Sequence, residues 1–173
     1  MLRTEDPGLL TGSKRYLADL DLPDRLHAVF VRSDVAHGTI EEIHVADAAA
    51  MPGVVEIMTA ADLGVAPHHG FAKVHDDFAR PPLAEGTVRF VGEPIAVVLA
   101  ETFEQGEDAA EVVWADITPL PAFVSAEAAL AGDAAPIFPV HESNAAVVIV
   151  DRHRADLEAA DVVVRGRYVN QRM

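Results

Sequence analysis

The sequence predicts a single α/β domain of the α+β type, a mixed sheet with short helices packed on it. Three observations carry this reading: half of the 173 residues are apolar, β-branched runs alternate with short helical patterns, and Pro or Gly punctuates most junctions. The length suits one core and falls short of two ordinary domains. Residues 1–24 read as an ordered arm and residues 25–173 as the domain.

The arm is dense in turn formers (Asp6-Pro7-Gly8, Thr11-Gly12, Leu22-Pro23-Asp24), with one short extended piece expected near residues 15–18. Residues 26–32 (LHAVFVR) and 39–45, the latter opened by Gly38, read as strands. Residues 47–51 make about one helical turn, stopped by Pro52-Gly53. A strand follows at residues 54–59, and Thr59 with Asp62 resembles a capping box opening a short helix. Residues 64–86 carry no periodicity and read as a long irregular loop.

Order is expected to return at residues 88–91, leading through Gly92-Glu93-Pro94 into the unbroken apolar run 94–100, a strand covered on both faces. Thr102 and Gln105 form a capping-box pair for a helix with Phe103, Gly106, Ala110 and Val113 on one face. Glu104, Glu107, Asp108 and Glu111 lie on the other. A strand at residues 113–117 would complete a β-α-β unit. Ser125 is the expected N-cap of a short helix ending near Gly132. Residues 146–150 and 161–169 are the last strand candidates, with Val162, Val164 and Tyr168 expected to face a core.

The balance of 28 acidic against 13 basic residues gives a formal charge of -15, which argues against nucleic acid or an anionic membrane as partner. With no cysteine, the chain can build no disulfide, thiolate nucleophile, thiolate zinc site or iron–sulfur cluster. No apolar stretch resembles a secretory signal or is long enough to span a bilayer, so a cytoplasmic location is expected.

A search for chemistry yields little. None of the four serines, Ser13, Ser33, Ser125 and Ser143, lies in a G-x-S-x-G turn. His68, His69, His75, Asp76 and Asp77 match no zinc-ligand spacing. They read as a solvated loop, with adventitious metal binding as the other reading. No glycine-rich turn cradles a phosphate between strand and helix. Glu93 stands out because Gly92 before it can take positive φ and Pro94 after it suits the start of a strand. It reads either as a turn carboxylate bonded to backbone or to Arg89, or as a residue at a domain interface.

Several stretches, in order, resemble a known family. They are residues 3–12 (RTEDPGLLTG) with Arg15-Tyr16 and Leu22-Pro23, residues 26–33 (LHAVFVRS) with Ala36-His37 and Ile40, and residues 52–55 (PGVV) with Asp62-Leu63. Residues 88–94 (VRFVGEP), 107–111 (EDAAE), 120–122 (LPA) and 168–172 (YVNQR) complete the pattern. Together they resemble the N-terminal α/β hammerhead segment of molybdenum hydroxylase large subunits, the xanthine dehydrogenase, aldehyde oxidase and carbon monoxide dehydrogenase group.

That resemblance implies a mixed sheet with helices, packed on the rest of the large subunit beside an iron–sulfur small subunit, with a flavin subunit as further partner. It implies that molybdopterin, as its cytosine dinucleotide, and the catalytic glutamate belong to later parts of the large subunit. No cofactor, metal or catalytic residue is therefore expected in this chain, which alone should be inactive. If its covering partner is absent, self-association is expected. The other reading is a stand-alone ligand- or protein-binding module reusing the fold. The chain departs from the family pattern at Ser33-Asp34-Val35, where Ser-Pro-His is common, at Thr39, and at Gly106, where alanine is usual. Gly106 should cost its helix up to about 1 kcal/mol.

Overall fold

The structure is a computed structural model that describes residues 3–17, 20, 22–71, 73–149, 160–164, 166 and 168. The longest apolar run becomes its central strand. That strand, β5 (Pro94–Ala100), lies between β1 (His27–Arg32) and β3 (Val54–Thr59), antiparallel to both. Of its seven residues five are buried, as a strand covered on both faces should be. A second antiparallel sheet sets β2 (Gly38–His44) between β4 (Thr87–Val88) and β6 (Trp114–Pro119).

The α+β character holds, with the strands sorted into two three-stranded sheets. The expected β-α-β unit does not form. β5 already has a partner on each edge, so the strand after the helix has no edge of β5 to join and crosses to β2 in the other sheet. Side chains from both sheets, among them Val31, Val88, Ile95 and Val98, meet in one core.

Two helices close that core. α2 (Ala46–Ala49) contributes the buried Ala48. α4 (Phe103–Val112) opens at the predicted capping box: Thr102 Oγ1 accepts from Gln105 N–H at 3.3 Å, and Gln105 Oε1 accepts from Thr102 N–H at 3.2 Å. Its inner face is Gly106 and Ala109, followed by Val113, while Phe103 is half exposed. Phe103 is the first residue of the helix, and the narrow seam against β1 admits only small side chains. A Cβ built on Gly106 would lie 2.7 Å from Val29 Cγ2, so the glycine permits a close helix–strand approach rather than merely weakening the helix.

Short helices α1 (Asp6–Leu10), α3 (Ala60–Leu63) and α5 (Ala126–Ala129) decorate the periphery. α1 replaces the plain turns expected in the arm, with Pro7 in its first turn, where a missing N–H is harmless. Residues 15–17 form no strand; Ala18 lies outside the described residues. The two late strand candidates differ most from expectation. Residues 146–149 and the described residues of 161–169 form no strand, and Val162, Val164 and Tyr168 are exposed. Alternation makes a strand only where another strand supplies hydrogen bonds, and none among the described residues pairs with them. Val150, Arg165, Arg167 and Val169 lie outside the described residues.

Candidate functional site

The turn before β5 is where polar atoms enter the core. Gly92 adopts φ 86°, open to glycine at no steric cost, and its N–H donates to Ser33 O at 2.7 Å. Ser33 N–H donates back to Glu93 O at 2.9 Å, and Arg32 Nη1 donates to Gly92 O at 2.9 Å. The turn is thereby fastened to the end of β1, and Ser33 and Glu93 are the two buried polar residues among those described, each 3% exposed. Glu93 Oε2 accepts a 2.5 Å hydrogen bond from Arg89 N–H. Such a bond lets a carboxylate stay inside without the full cost of losing water.

Glu93 also forms part of the wall of a half-open cavity of about 270 Å³, with Phe78, Arg80, Arg89, Phe90 and Phe138. The Arg89 guanidinium lies 4.9 Å from the Phe138 ring centre, and that of Arg80 lies 5.7 Å from Phe90. A second cavity, of about 300 Å³, lies beside Arg32, Asp34 and Trp114. Trp114 stacks on His44 at 3.7 Å.

The loop of residues 64–86 is more ordered than its composition predicts. His68 and Arg80 exchange two backbone hydrogen bonds of 2.9 and 2.8 Å, which close residues 68–80 into a hairpin-like lobe. Inside it a 3₁₀ turn, Asp76–Phe78, is capped by His75, whose Nδ1 accepts from Asp77 N–H at 3.3 Å. His69 and Lys73 both pair with Asp76, and the hydrogen bond from Lys73, then its charge, holds the Asp76 carboxyl below its ordinary value.

The same lobe meets a residue that the sequence places far away. His141 Nε2 lies 3.3 Å from Asp77 Oδ2, and His75 Nδ1 lies 3.2 Å from that same oxygen. Phe78 supports His141 with ring centres 4.8 Å apart. Asn144 fixes the approach, accepting from Ile137 N–H and donating to Ala129 O and Ala135 O. Of the five loop residues considered from sequence, His75 and Asp77 therefore converge, His69 and Asp76 pair separately, and His68 serves through its backbone. Nothing local in the sequence marks His141, because only the folded chain brings it to Asp77.

The serines hold structural positions. Ser125 Oγ caps α5 through Ala128 N–H, and Ser33 Oγ donates to Val35 O. Ser143 Oγ accepts from Ala145 N–H rather than engaging its near neighbour His141. On α4, Glu104, Glu107, Asp108 and Glu111 are exposed, as expected of an acidic solvent face. No helix among the described residues is long and apolar enough to cross a membrane.

Residues 11–121 match the family described as aldehyde oxidase and xanthine dehydrogenase, a/b hammerhead domain. The gamma subunit of the 6-hydroxypseudooxynicotine dehydrogenase complex of Paenarthrobacter nicotinovorans is 36% identical across 99% of this chain and 23% of its own length. Quinoline 2-oxidoreductase from Pseudomonas putida 86 superposes with a TM-score of 0.68 at 43% identity, over 78% of this chain and 18% of that one. The aldehyde oxidoreductase of Desulfovibrio gigas gives a TM-score of 0.71 at 32% identity, over 79% of this chain and 16% of that one. The chain thus spans less than a quarter of the length of these relatives.

Proposed function

This chain belongs to the aldehyde oxidase and xanthine dehydrogenase family of molybdenum hydroxylases through its a/b hammerhead domain, and we propose that it serves there as a structural and contact domain without a catalytic group of its own. One observation carries the reading. Val124, Val148, Ile149, Val162, Val164 and Tyr168 are each at least three-quarters exposed. Covering each such side chain by a neighbouring surface would be worth about 1.5–3 kcal/mol, which supports a contact role for this end of the chain. The remainder of a molybdenum-binding large subunit is the natural cover, with iron–sulfur and flavin subunits beyond it.

In this reading residues 25–173 act as one unit, with residues 1–24 as an arm along it. Glu93 contributes by holding the shape of a wall presented to a neighbouring domain. Molybdopterin, including its cytosine dinucleotide form, does not suit the residues described. The two half-open cavities, of about 270 and 300 Å³, are at the small end for a ligand site and small for a dinucleotide cofactor, and each sets an acid, Glu93 or Asp34, beside arginine. An open groove of about 530 Å³ is lined by Asp24 and Glu101 against Arg25 alone, an unfavourable setting for a pyrophosphate.

The test is to purify the 173-residue chain, measure molybdenum by elemental analysis and assay dye-linked oxidation of aldehydes, purines and N-heterocycles. Substoichiometric molybdenum, no turnover and concentration-dependent self-association are expected. Turnover abolished by changing one of the chain's own side chains would overturn the proposal.

A further inference from the structure

We infer that His75, Asp77 and His141 form a site for a single divalent transition-metal ion of the zinc class, which would clip the 68–80 lobe to the segment following α5. One ligand atom from each of the three lies within 4.8 Å of the others. Two of the three separations are already those of a bound ion. Tetrahedral zinc with bonds of about 2.0–2.1 Å holds its ligand atoms about 3.3–3.4 Å apart. Asp77 Oδ2 is 3.2 Å from His75 Nδ1 and 3.3 Å from His141 Nε2. The third edge must close further, and His75, an exposed side chain, can turn to close it.

The donor types, and the unpaired ring nitrogen of His141, fit a cation. His75 Nδ1 accepts from Asp77 N–H and lies 3.2 Å from Asp77 Oδ2, and its one lone pair would turn from that N–H to the ion. His141 Nε2 is buried and has no hydrogen-bond partner; despite its 3.3 Å approach to Asp77, no well-directed bond forms. Neutral imidazole and carboxylate are the donors that zinc and its neighbours accept, and solvent can fill the remaining positions.

The surroundings are firm enough to hold such a set. The His68–Arg80 bridge closes the lobe, the 3₁₀ turn fixes the backbone of residues 75–78, and Phe78 packs on both His141 and Phe138. The formal charge of -15 raises the local concentration of cations. Considered as sequence, the loop offered ligands without a scaffold; the fold supplies the scaffold and His141. The inference stands on these residues alone and does not depend on the hydroxylase reading.

The experiment is calorimetric titration of zinc(II) into the metal-free 173-residue chain, repeated with cobalt(II) to read the d–d absorption of a four-coordinate site. One equivalent should bind saturably. Asp77→Asn and His141→Ala should each weaken binding at least about a hundredfold, the upper end of what even an outer-shell loss costs. Asp77→Asn preserves side-chain shape, so its metal-free melting curve should match the parent and separate lost binding from lost folding. His68→Ala, in the same lobe but outside the trio, should bind as the parent does. Absence of a saturable single equivalent in the parent, or equal weakening by His68→Ala and His141→Ala, would overturn the inference and leave only an adventitious histidine-rich loop.

Discussion

Replacing Gly106 by alanine sets two effects of known sign against each other. Alanine in a helix interior is favoured over glycine by about 1 kcal/mol. Against that, the new Cβ would lie 2.7 Å from Val29 Cγ2 and 3.5 Å from Ala100 Cβ. Comfortable carbon contacts are about 3.5–4.0 Å, so the Val29 contact is short by about 1 Å. Val29 is β-branched and stiff at χ1. The helix cannot easily back away, because its start is fixed by the Thr102–Gln105 box and Gln105 packs closely over Gly53. Overpacking of this kind costs about 1–3 kcal/mol, so the expected net change is a loss of about 0–2 kcal/mol. In a Val29→Ala background the collision disappears, and the same Gly106→Ala change should stabilise by up to about 1 kcal/mol. Urea unfolding followed by circular dichroism across the four-member cycle gives the coupling, expected at about 1–3 kcal/mol. If Gly106→Ala alone raises stability by the helix increment, and by the same amount whatever occupies position 29, the close approach is wrong.

Two further outcomes follow from the site. Glu93→Ala should destabilise by about 1–3 kcal/mol in urea unfolding, because Arg89 N–H loses its acceptor inside the protein, while Glu93→Gln keeps an acceptor and should lose less; equal losses would show that the bond is immaterial. Asp62 is held below its ordinary value of 3.8 by the backbone N–H of Thr59 and then by the Thr59 hydroxyl, so its contribution is present above that value and lost as pH falls through the lower folded one. Carboxylate NMR should therefore show Asp62 titrating below 3.8, with faster amide exchange in α3 only at lower pH still, and Asp62→Asn should remove that dependence.

The features legible in the sequence are those settled within a turn of chain. Thr102 with Gln105, Thr59 with Asp62 and Ser125 as N-cap each involve atoms three residues apart, and all three form. Residues 94–100 were readable because an unbroken apolar run has few homes other than a covered strand. Partner choice was not readable. Helical spacing after β5 looks the same whether the next strand joins that sheet or another, and occupied edges decided it. Helix-face assignment failed at Phe103 for a related reason: periodicity gives a direction, but the width of the seam against β1 selects small residues. For the candidate site, Glu93 was marked by its flanking Gly and Pro, whereas the approach of His141 to Asp77 depends on Asn144 bracing a distant segment.

Two places expected from the resemblance to differ from the family pattern have a physical account. Gly106 faces Val29 at a distance that leaves no room for a methyl group, so the two positions must be considered together. A helix penalty of about 1 kcal/mol is offset by the core contact that the missing methyl permits. At Ser33-Asp34-Val35 the serine is the residue that is buried. Its hydroxyl donates to Val35 O and accepts from Val35 N–H, while its backbone fastens the Gly92-Glu93 turn. Asp34 is exposed and can vary without loosening the turn, whereas Val35 lends these bonds its backbone and packs its half-buried side chain against the core. The core-facing constraints thus fall on residues 29, 33, 35, 93 and 106, and the freedom to differ falls on neighbours such as Asp34 that meet solvent.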